Sequence, residues 1–167
     1  HFAAHTKVSE SLKFPQKYYE NNYDKAKIFI DECIKQGIKK IIFSSSAAVY
    51  GNVNKKDIYE NEKTNPTNPY SKTKLKLENY LRQLGEEKKV SCIILRYFNP
   101  VGADKTNSLR DNPKKAENII PNISNIIKGK KKVFNIFGNN YPTKDGTCMR
   151  DYIHVIDLAS SHVTSFF

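Results

Sequence analysis

Apolar side chains recur at intervals of three and four residues in two segments, a spacing typical of helices that pack on a core. The first segment spans residues 16 to about 36 and precedes Gly37. The second begins after Pro69, and Gly85 is expected to end it. Its apolar positions are Leu75, Leu77, Leu81 and Leu84. The pattern therefore predicts two amphipathic helices.

Two short apolar runs alternate with these helices. KKIIFSSS covers residues 39–46, and VSCIILRYFN covers residues 90–99. Continuous apolar runs are typical of strands in a parallel sheet that is covered on both faces. The alternation predicts a doubly wound, Rossmann-type α/β fold, in which ligands bind beyond the carboxyl ends of the strands. The opening HFAA, the SSS at 44–46 and the segment YFNPVG fall at such ends.

The pattern changes after Gly102. A polar segment at 104–115 precedes a predicted helix at 118–129 and an alternating segment, VFNIFG at 133–138, which predicts a strand. A turn-rich stretch follows, and order is expected to return from Met149 onward.

The net charge of +11 raises the possibility of nucleic-acid binding. However, the lysines are scattered, and the densest clusters, at 114–115 and 129–133, lack interleaved aromatic residues. A nucleic-acid partner is therefore not expected, and no apolar run is long enough to predict a membrane span. The three cysteines, Cys33, Cys92 and Cys148, are widely spaced. Their spacing favours reduced thiols in the cytoplasm over a disulfide framework or a metal site, and His154 is expected to be structural.

The stretch NPYSKTK contains a candidate catalytic pair, Tyr70 and Lys74. Asn68 can cap a helix and Pro69 suits its first position, so the pair should lie on one face of the first turns. Tyr59 has a lysine at the same spacing, but its polar, proline-containing surroundings predict a loop.

A phenol next to an ammonium group at a helix N-terminus is expected to have a lowered pKa and to act as a general base. Ser46, at a strand end, is expected to reach the same substrate hydroxyl. Removing a hydroxyl proton while a hydride leaves the same carbon requires a hydride acceptor, which implies a nicotinamide cofactor. Alternatively, Tyr70 packs on the sheet and Lys74 is solvated. The strand motifs on either side favour the catalytic interpretation.

Five motifs occur in an order that resembles the UDP-glucose 4-epimerases, which are extended short-chain dehydrogenases/reductases. They are FSSSAAVYG, NPYSKTK, LRYFNPVGA, FGNNYPTKDGT and RDYIHVIDLA. The resemblance covers the whole chain and implies an internal fragment, the middle half of a family member. It implies an isomerase of galactose metabolism that oxidises the 4-position of a UDP-sugar with NAD, lets the 4-keto sugar rotate and reduces it again.

The resemblance also implies the functional residues. The catalytic residues would be Ser46, Tyr70 and Lys74, which also contact the cofactor. The other cofactor contacts would be Phe2, Ala3, Ala4, Asn21 and Phe98. The UDP-sugar would contact Ser46, Tyr70, Asn99, Asn118, Ile119, Asn135, Phe137, Arg150 and Tyr152.

By the same resemblance, residues 1–102 would form part of the NAD-binding domain, and residues 103–167 part of the sugar-nucleotide region, with 150–167 returning to the main domain. Thr6 stands where the family usually has a lysine that contacts NAD. The glycine-rich loop that cradles the pyrophosphate is absent, so the fragment alone is expected to be inactive. The full-length protein is expected to be a homodimer.

Other activities on nucleotide sugars are alternatives to 4-epimerisation. Sugar-nucleotide dehydratases carry an acidic pair after the catalytic hydroxyl, whereas this chain has Ala47 and Ala48, which cannot donate a proton. A uronic-acid 4-epimerase or decarboxylase, and a truncated, non-catalytic relative, stay open as alternatives.

Overall fold

The computed structural model describes residues 1–53, 55, 57–106, 108–109, 118–136 and 138–167. The chain divides into two compact units. The first comprises residues 1–97 and 162–167, and the second comprises residues 98–161. The domain boundaries expected at 102 and 150 stay a prediction.

The long helix predicted from residue 16 is confirmed, with an added irregularity. A short helix, α1 (Val8–Lys13), precedes α2 (Pro15–Tyr19) and α3 (Ala26–Lys35). A π-helical segment, Glu20–Lys25, joins α2 to α3 without a break. π-Helical segments are rare in proteins, and those that occur are often found at functional sites. This one places Asn22 in the interior, at 2% exposure.

The parallel sheet predicted in the first unit is also confirmed. Strands β1 (Lys40–Ser44) and β2 (Ser91–Leu95) run parallel over their full lengths. On the other edge of β1, the His1 nitrogen donates to the Ile42 carbonyl at 2.7 Å, and the Ser44 nitrogen donates to the His1 carbonyl at 3.2 Å. This is the bonding pattern of a parallel ladder. β1 therefore has backbone partners on both sides.

Helix α4 (Pro69–Glu86) begins where the sequence predicts. Asn68 Oδ1 accepts from the Ser71 nitrogen at 2.9 Å, and Ser71 Oγ accepts from the Asn68 nitrogen at 3.3 Å, which completes a capping box. Leu77 and Leu81 are at most 1% exposed and pack with Phe43 of β1 in the core. Local hydrogen bonds thus fix the residue at which α4 begins, and the burial of its leucines fixes how the helix packs on the sheet.

The expectation that Gly85 ends α4 is wrong. The helix continues through Glu86, and Lys88 adopts the left-handed conformation, with φ of 55°. The Lys88 nitrogen donates to the Gly85 carbonyl at 2.9 Å, and the next nitrogen, of Lys89, donates to Leu84 at 3.0 Å. These two bonds form a Schellman motif, which satisfies the last carbonyls of the helix without a glycine at the left-handed position.

The second unit contains β3 (Asn99–Val101) and β4 (Tyr152–His154), which pair in parallel. Helix α5 (Ile119–Ile127) confirms the helix predicted at 118–129, and α6 (Val155–Thr164) follows β4. The strand predicted at 133–138 is wrong, because the described residues there, 133–136 and 138, form no strand. Phe134 and Ile136, which would share one face of a strand, are 39% and 67% exposed, so the alternation does not mark a covered face.

No helix in the described part of the chain has both the length and the apolar character needed to cross a membrane.

Candidate active site

Ser46 lies just beyond the carboxyl end of β1. Its backbone is extended, and its Oγ accepts from the Ala48 nitrogen at 3.2 Å, which caps a 3-10 helix, Ala47–Tyr50. The Ala47 nitrogen donates to the Tyr97 carbonyl at 3.0 Å, so backbone bonding to the segment after β2 continues past the strand. These bonds fix the position at which the Ser46 hydroxyl is presented.

Tyr70 lies in the first turn of α4, with its phenol close enough to the Ser46 side chain for the two to interact. Burial raises the pKa of Tyr70 above its ordinary value of 10.0 and outweighs the interaction with Ser46, which lowers that pKa. Tyr97 adds to the rise. The expectation of a lowered pKa is therefore wrong for this arrangement, because desolvation of the phenolate dominates.

Lys74 is a buried lysine, only 4% exposed, which rules out a solvated surface role. Its Nζ donates to the Ser44 carbonyl at 2.7 Å and lies 4.9 Å from the centroid of the Phe43 ring and 5.9 Å from that of Tyr70. Burial lowers the pKa of Lys74 to about 8, and the charge of Glu78 opposes the fall. By contrast, Tyr59 is 65% exposed, in the loop predicted for it.

A close backbone contact brings the start of α4 to the end of β1. The Asn65 nitrogen donates to the Val49 carbonyl at 3.0 Å. Gly51 has φ of 71°, and a Cβ there would come within 1.9 Å of the Asn65 carbonyl oxygen. The chain can return this closely only because Gly51 has no side chain. Tyr70 follows five residues later, beside Ser46.

The predicted cofactor contacts near the amino end differ in exposure. The Phe2 ring is 67% exposed and lies 4.9 Å from the His162 ring, and Ala3 is also exposed while Ala4 is partly buried. Asn21 is partly buried, and its amide donates to Asn22 Oδ1 at 3.0 Å.

Asn22 is a residue that the sequence interpretation missed. Its Oδ1 accepts from the His5 nitrogen at 2.8 Å, and its Nδ2 donates to the His5 carbonyl at 2.9 Å. It thereby fixes the segment that carries Phe2, Ala3 and Ala4. The available signal was the pair of adjacent asparagines inside a helix, where asparagine is a poor helix former.

The predicted sugar-nucleotide contacts lie in the second unit, and Phe98 is its first residue. Asn99 pairs with Tyr152 across the β3–β4 ladder, and its Nδ2 donates to the Asp151 carbonyl at 2.8 Å. Arg150 is exposed and donates to the Met149 carbonyl at 3.0 Å. The structure thus brings Asn99 and Tyr152 together.

The remaining predicted contacts are dispersed. Asn118 is the N-cap of α5, Ile119 is its first residue, and both are exposed. Asn135 is exposed in an irregular segment. Phe137 lies outside the described residues.

The donors at the end of β1 suit the nicotinamide end of a dinucleotide. An ammonium group has three donors, of which the bond from Lys74 to Ser44 uses one, and ribose hydroxyls accept such bonds. Ser46 and Tyr70 supply hydroxyl groups beside it. In the described residues, no group of three or more His, Cys, Asp or Glu side chains is arranged to bind a metal ion.

Comparison with known proteins agrees with this geometry. Residues 1–166 match the model of the NAD dependent epimerase/dehydratase family. The chain belongs to this family. UDP-glucose 4-epimerase of Bacillus subtilis is 46% identical over 165 residues, which are 98% of this chain and 49% of that protein. UDP-glucose 4-epimerase 3 of Oryza sativa subsp. japonica is 44% identical over 99% of this chain and 45% of that protein. The chain thus spans about half the length of these relatives.

Solved structures of the family share this fold. UDP-glucose 4-epimerase of Stenotrophomonas maltophila, with bound NAD and formylated UDP-arabinopyranose, superposes with a TM-score of 0.92 at 39% identity, over 98% of this chain and 49% of that one. The enzyme of Bifidobacterium longum, in complex with NAD⁺ and UDP, superposes with a TM-score of 0.91 at 42% identity, over 98% and 50%. The predicted α/β fold and family are confirmed.

Proposed function

We propose that the protein containing this chain interconverts UDP-glucose and UDP-galactose, with NAD as its cofactor. The observation that carries the proposal is the convergence of Ser46, Tyr70 and Lys74 at the carboxyl end of β1. Relatives named UDP-glucose 4-epimerase at 44% and 46% identity support it.

In the proposed reaction, Tyr70 removes the proton of the sugar 4-hydroxyl, and Ser46 holds that hydroxyl by a hydrogen bond. When bound, NAD would supply a hydride acceptor for the sugar 4-carbon. The ammonium group of Lys74 favours the phenolate of Tyr70 and would donate to the nicotinamide ribose. The 4-keto sugar rotates about its link to the diphosphate, so that hydride returns to the opposite face of the 4-carbon while Tyr70 returns the proton to the 4-oxygen.

The remaining contacts belong to the same proposal. NAD would also contact Phe2, Ala3, Ala4, Asn21 and Phe98. The UDP-sugar would contact Asn99, Asn118, Ile119, Asn135, Phe137, Arg150 and Tyr152. Arg150 suits the diphosphate, because a guanidinium binds phosphate oxygens through two parallel hydrogen bonds.

Dehydration of the sugar is disfavoured by the residues after Ser46. Ala47 and Ala48 open the 3-10 helix at the site and carry no group that could protonate a leaving hydroxyl. An intact protein that forms a 4-keto-6-deoxy sugar would contradict the assignment.

The test is the Tyr70→Phe variant of the intact protein, assayed for conversion of UDP-galactose. Loss of the general base should lower turnover by about 10²- to 10⁴-fold, with nearly unchanged affinity for UDP. Tyr59→Phe is a matched control, because Tyr59 has the same spacing to a lysine but is exposed. An unchanged rate in Tyr70→Phe would contradict the phenolate mechanism.

We further infer that the intact protein is a cytoplasmic homodimer without a nucleic-acid or membrane partner. Binding to DNA that weakens steeply with salt would contradict the lack of a nucleic-acid partner.

We also infer that the 167-residue chain alone is inactive. This inference rests on the absence of the glycine-rich pyrophosphate loop from this sequence. Micromolar binding of NAD to the isolated chain would contradict it.

A further inference from the structure

A buried carboxylate lies on the face of α4 that carries the catalytic pair. Glu78 follows Lys74 by four residues and is 0% exposed. It accepts from Arg96 at 2.5 Å, 3.0 Å and 3.1 Å, and from Arg82 at 3.0 Å. The Arg96 side chain is only 9% exposed, and its bonds to Glu78 raise its pKa above the usual value. Two guanidinium groups therefore hold Glu78 in the interior.

Another partner of Glu78 connects it to the active site. Ser45, 2% exposed, donates a hydrogen bond from its hydroxyl to Glu78 Oε1. The Ser45 nitrogen donates to the Leu95 carbonyl at 2.9 Å, so β2 holds its backbone from the other side. Ser45 lies between Ser44, whose carbonyl accepts from Lys74, and Ser46, whose side chain lies near Tyr70.

The three consecutive serines therefore each lie next to one of three α4 residues at four-residue spacing. The pairs are Ser46 with Tyr70, the Ser44 carbonyl with Lys74, and the Ser45 hydroxyl with Glu78. Residues four apart share one face of a helix. The epimerase reaction proposed above uses the first two pairs and leaves the third without a function.

We propose that Glu78 is a positioning residue: through Ser45 it fixes the end of β1, and with it the Ser44 carbonyl and the Ser46 hydroxyl, against the catalytic face of α4. This inference rests on the proposed epimerase function. The bonds from Arg96 hold the carboxylate in place, so Ser45 is bound to a fixed acceptor. Glu78 does not touch the substrate in this role.

The charge of Glu78 also acts on Lys74, whose pKa it raises against the effect of burial. Other titratable groups face Lys74 or its acceptor Ser44 from the neighbouring elements. They are Tyr70 on α4, the α-amino group of His1, and His162 on α6, which lies 3.2 Å from Ser44 Oγ. Glu78 differs from these groups because its charge raises the pKa of Lys74 in the structure as it stands.

The deciding variant is Ser45→Ala in the intact, NAD-loaded protein, because it removes the hydroxyl but retains the pair between Glu78 and Arg96. The turnover number for UDP-galactose should fall about tenfold or more, while KM and the melting temperature change little. Ser91→Ala, at an exposed serine that begins β2, is the control and should keep the wild-type rate. A Ser45→Ala variant with wild-type turnover would overturn the proposal.

Glu78→Gln adds a measurement that a merely structural role would not change. Glutamine retains an acceptor for Ser45 but lacks the charge, so Lys74 should lose its proton at lower pH. The alkaline limb of the pH–turnover profile should move down by about one pH unit. Glu87→Gln, an exposed change at the end of α4, should leave the limb in place. A folded Glu78→Gln variant with an unshifted limb would overturn the electrostatic part, and Ser45→Ala decides if Glu78→Gln does not fold.

Different results would contradict the epimerase function and the positioning role of Glu78. A folded wild-type protein that does not convert UDP-galactose would contradict the epimerase function itself. An active wild-type protein whose Ser45→Ala variant is equally active would contradict only the positioning by Glu78.

Discussion

The ammonium group of Lys74 donates to the Ser44 backbone carbonyl at 2.7 Å and lies over the Phe43 ring, 4.9 Å from its centroid. Both contacts come from consecutive residues of β1. The strand, as well as the helix that carries Lys74, therefore determines where the positive charge of the site lies.

This buried charge should reduce stability, so Lys74→Met should stabilise the intact protein while abolishing its activity. The fall in the pKa of Lys74 from 10.5 to about 8 corresponds to about 3 kcal/mol at neutral pH. Subtracting about 1.5 kcal/mol for the lost hydrogen bond, the free energy of unfolding should rise by about 1–2 kcal/mol. Denaturant unfolding of the variant and the wild type at pH 7 measures this difference in the free energy of unfolding.

The difference in stability between this variant and the wild type should depend on pH in a predictable direction. Between pH 8 and 10.5 the unfolded chain binds the proton of Lys74 more tightly than the folded chain does, so the penalty disappears as pH rises through this interval. The stability gap between Lys74→Met and wild type should close accordingly. Lys72→Met, at an exposed lysine of α4, should show no such dependence. A Lys74→Met protein less stable than wild type at pH 7 would refute this account.

Ser46→Ala should shift the acid limb of the pH–turnover profile to higher pH. The Ser46 side chain lowers the pKa of Tyr70, which burial has raised, so removal of the hydroxyl should leave the pKa of Tyr70 higher still. Less phenolate is then present at neutral pH, and turnover should fall about tenfold for each unit of the shift. Ser9→Ala, at an exposed serine of α1, is the control. An acid limb at its wild-type position would argue against this interaction between Ser46 and Tyr70.

Substitution of the two adjacent asparagines should affect different properties, stability for Asn22 and NAD binding for Asn21. Asn22→Ala removes two hydrogen bonds to the His5 backbone and should lower the free energy of unfolding by about 2–3 kcal/mol. Asn21→Ala should change stability by less than about 0.5 kcal/mol but weaken NAD binding. Urea unfolding and NAD titration of the intact protein measure both effects. Equal stabilities for the two variants would contradict the assignment.

Two glycines with positive φ should differ sharply in tolerance. Gly51→Ala places a Cβ 1.9 Å from the Asn65 carbonyl oxygen and should cost about 3 kcal/mol or more. Gly37 has φ of 88°, and a Cβ there would meet no described atom within 4 Å. Gly37→Ala should therefore cost only the strain of the left-handed conformation, about 1–2 kcal/mol. Thermal unfolding compares them, and similar losses would disprove the close contact at Gly51.

The sequence predicts α4 and the positions of Tyr70 and Lys74 on it well because their signals are local. Asn68 and Ser71 form a capping box within four residues, and the spacing of Tyr70 and Lys74 places them on one face. The end of α4 is less predictable, because Lys88 adopts a backbone conformation that glycine usually marks.

The errors in the site arise from tertiary contacts. Asn22 bonds His5, seventeen residues away, so no local pattern marks it. Proximity to Lys74 predicts a lowered pKa for Tyr70, but the sequence does not show how deeply the phenol is buried. Similarly, the alternation at Phe134 and Ile136 predicts a strand, whereas both side chains are exposed.

The backbone bond from Asn65 to Val49 closes the segment between them at its base. Ser46 and Tyr70 lie just outside this closed segment, so its length does not set their separation. Since the entropy of closing a loop rises only slowly with length, insertions near Asp57 should be tolerated. The segment is therefore a suitable place for an epitope tag or a reporter that leaves the active site intact.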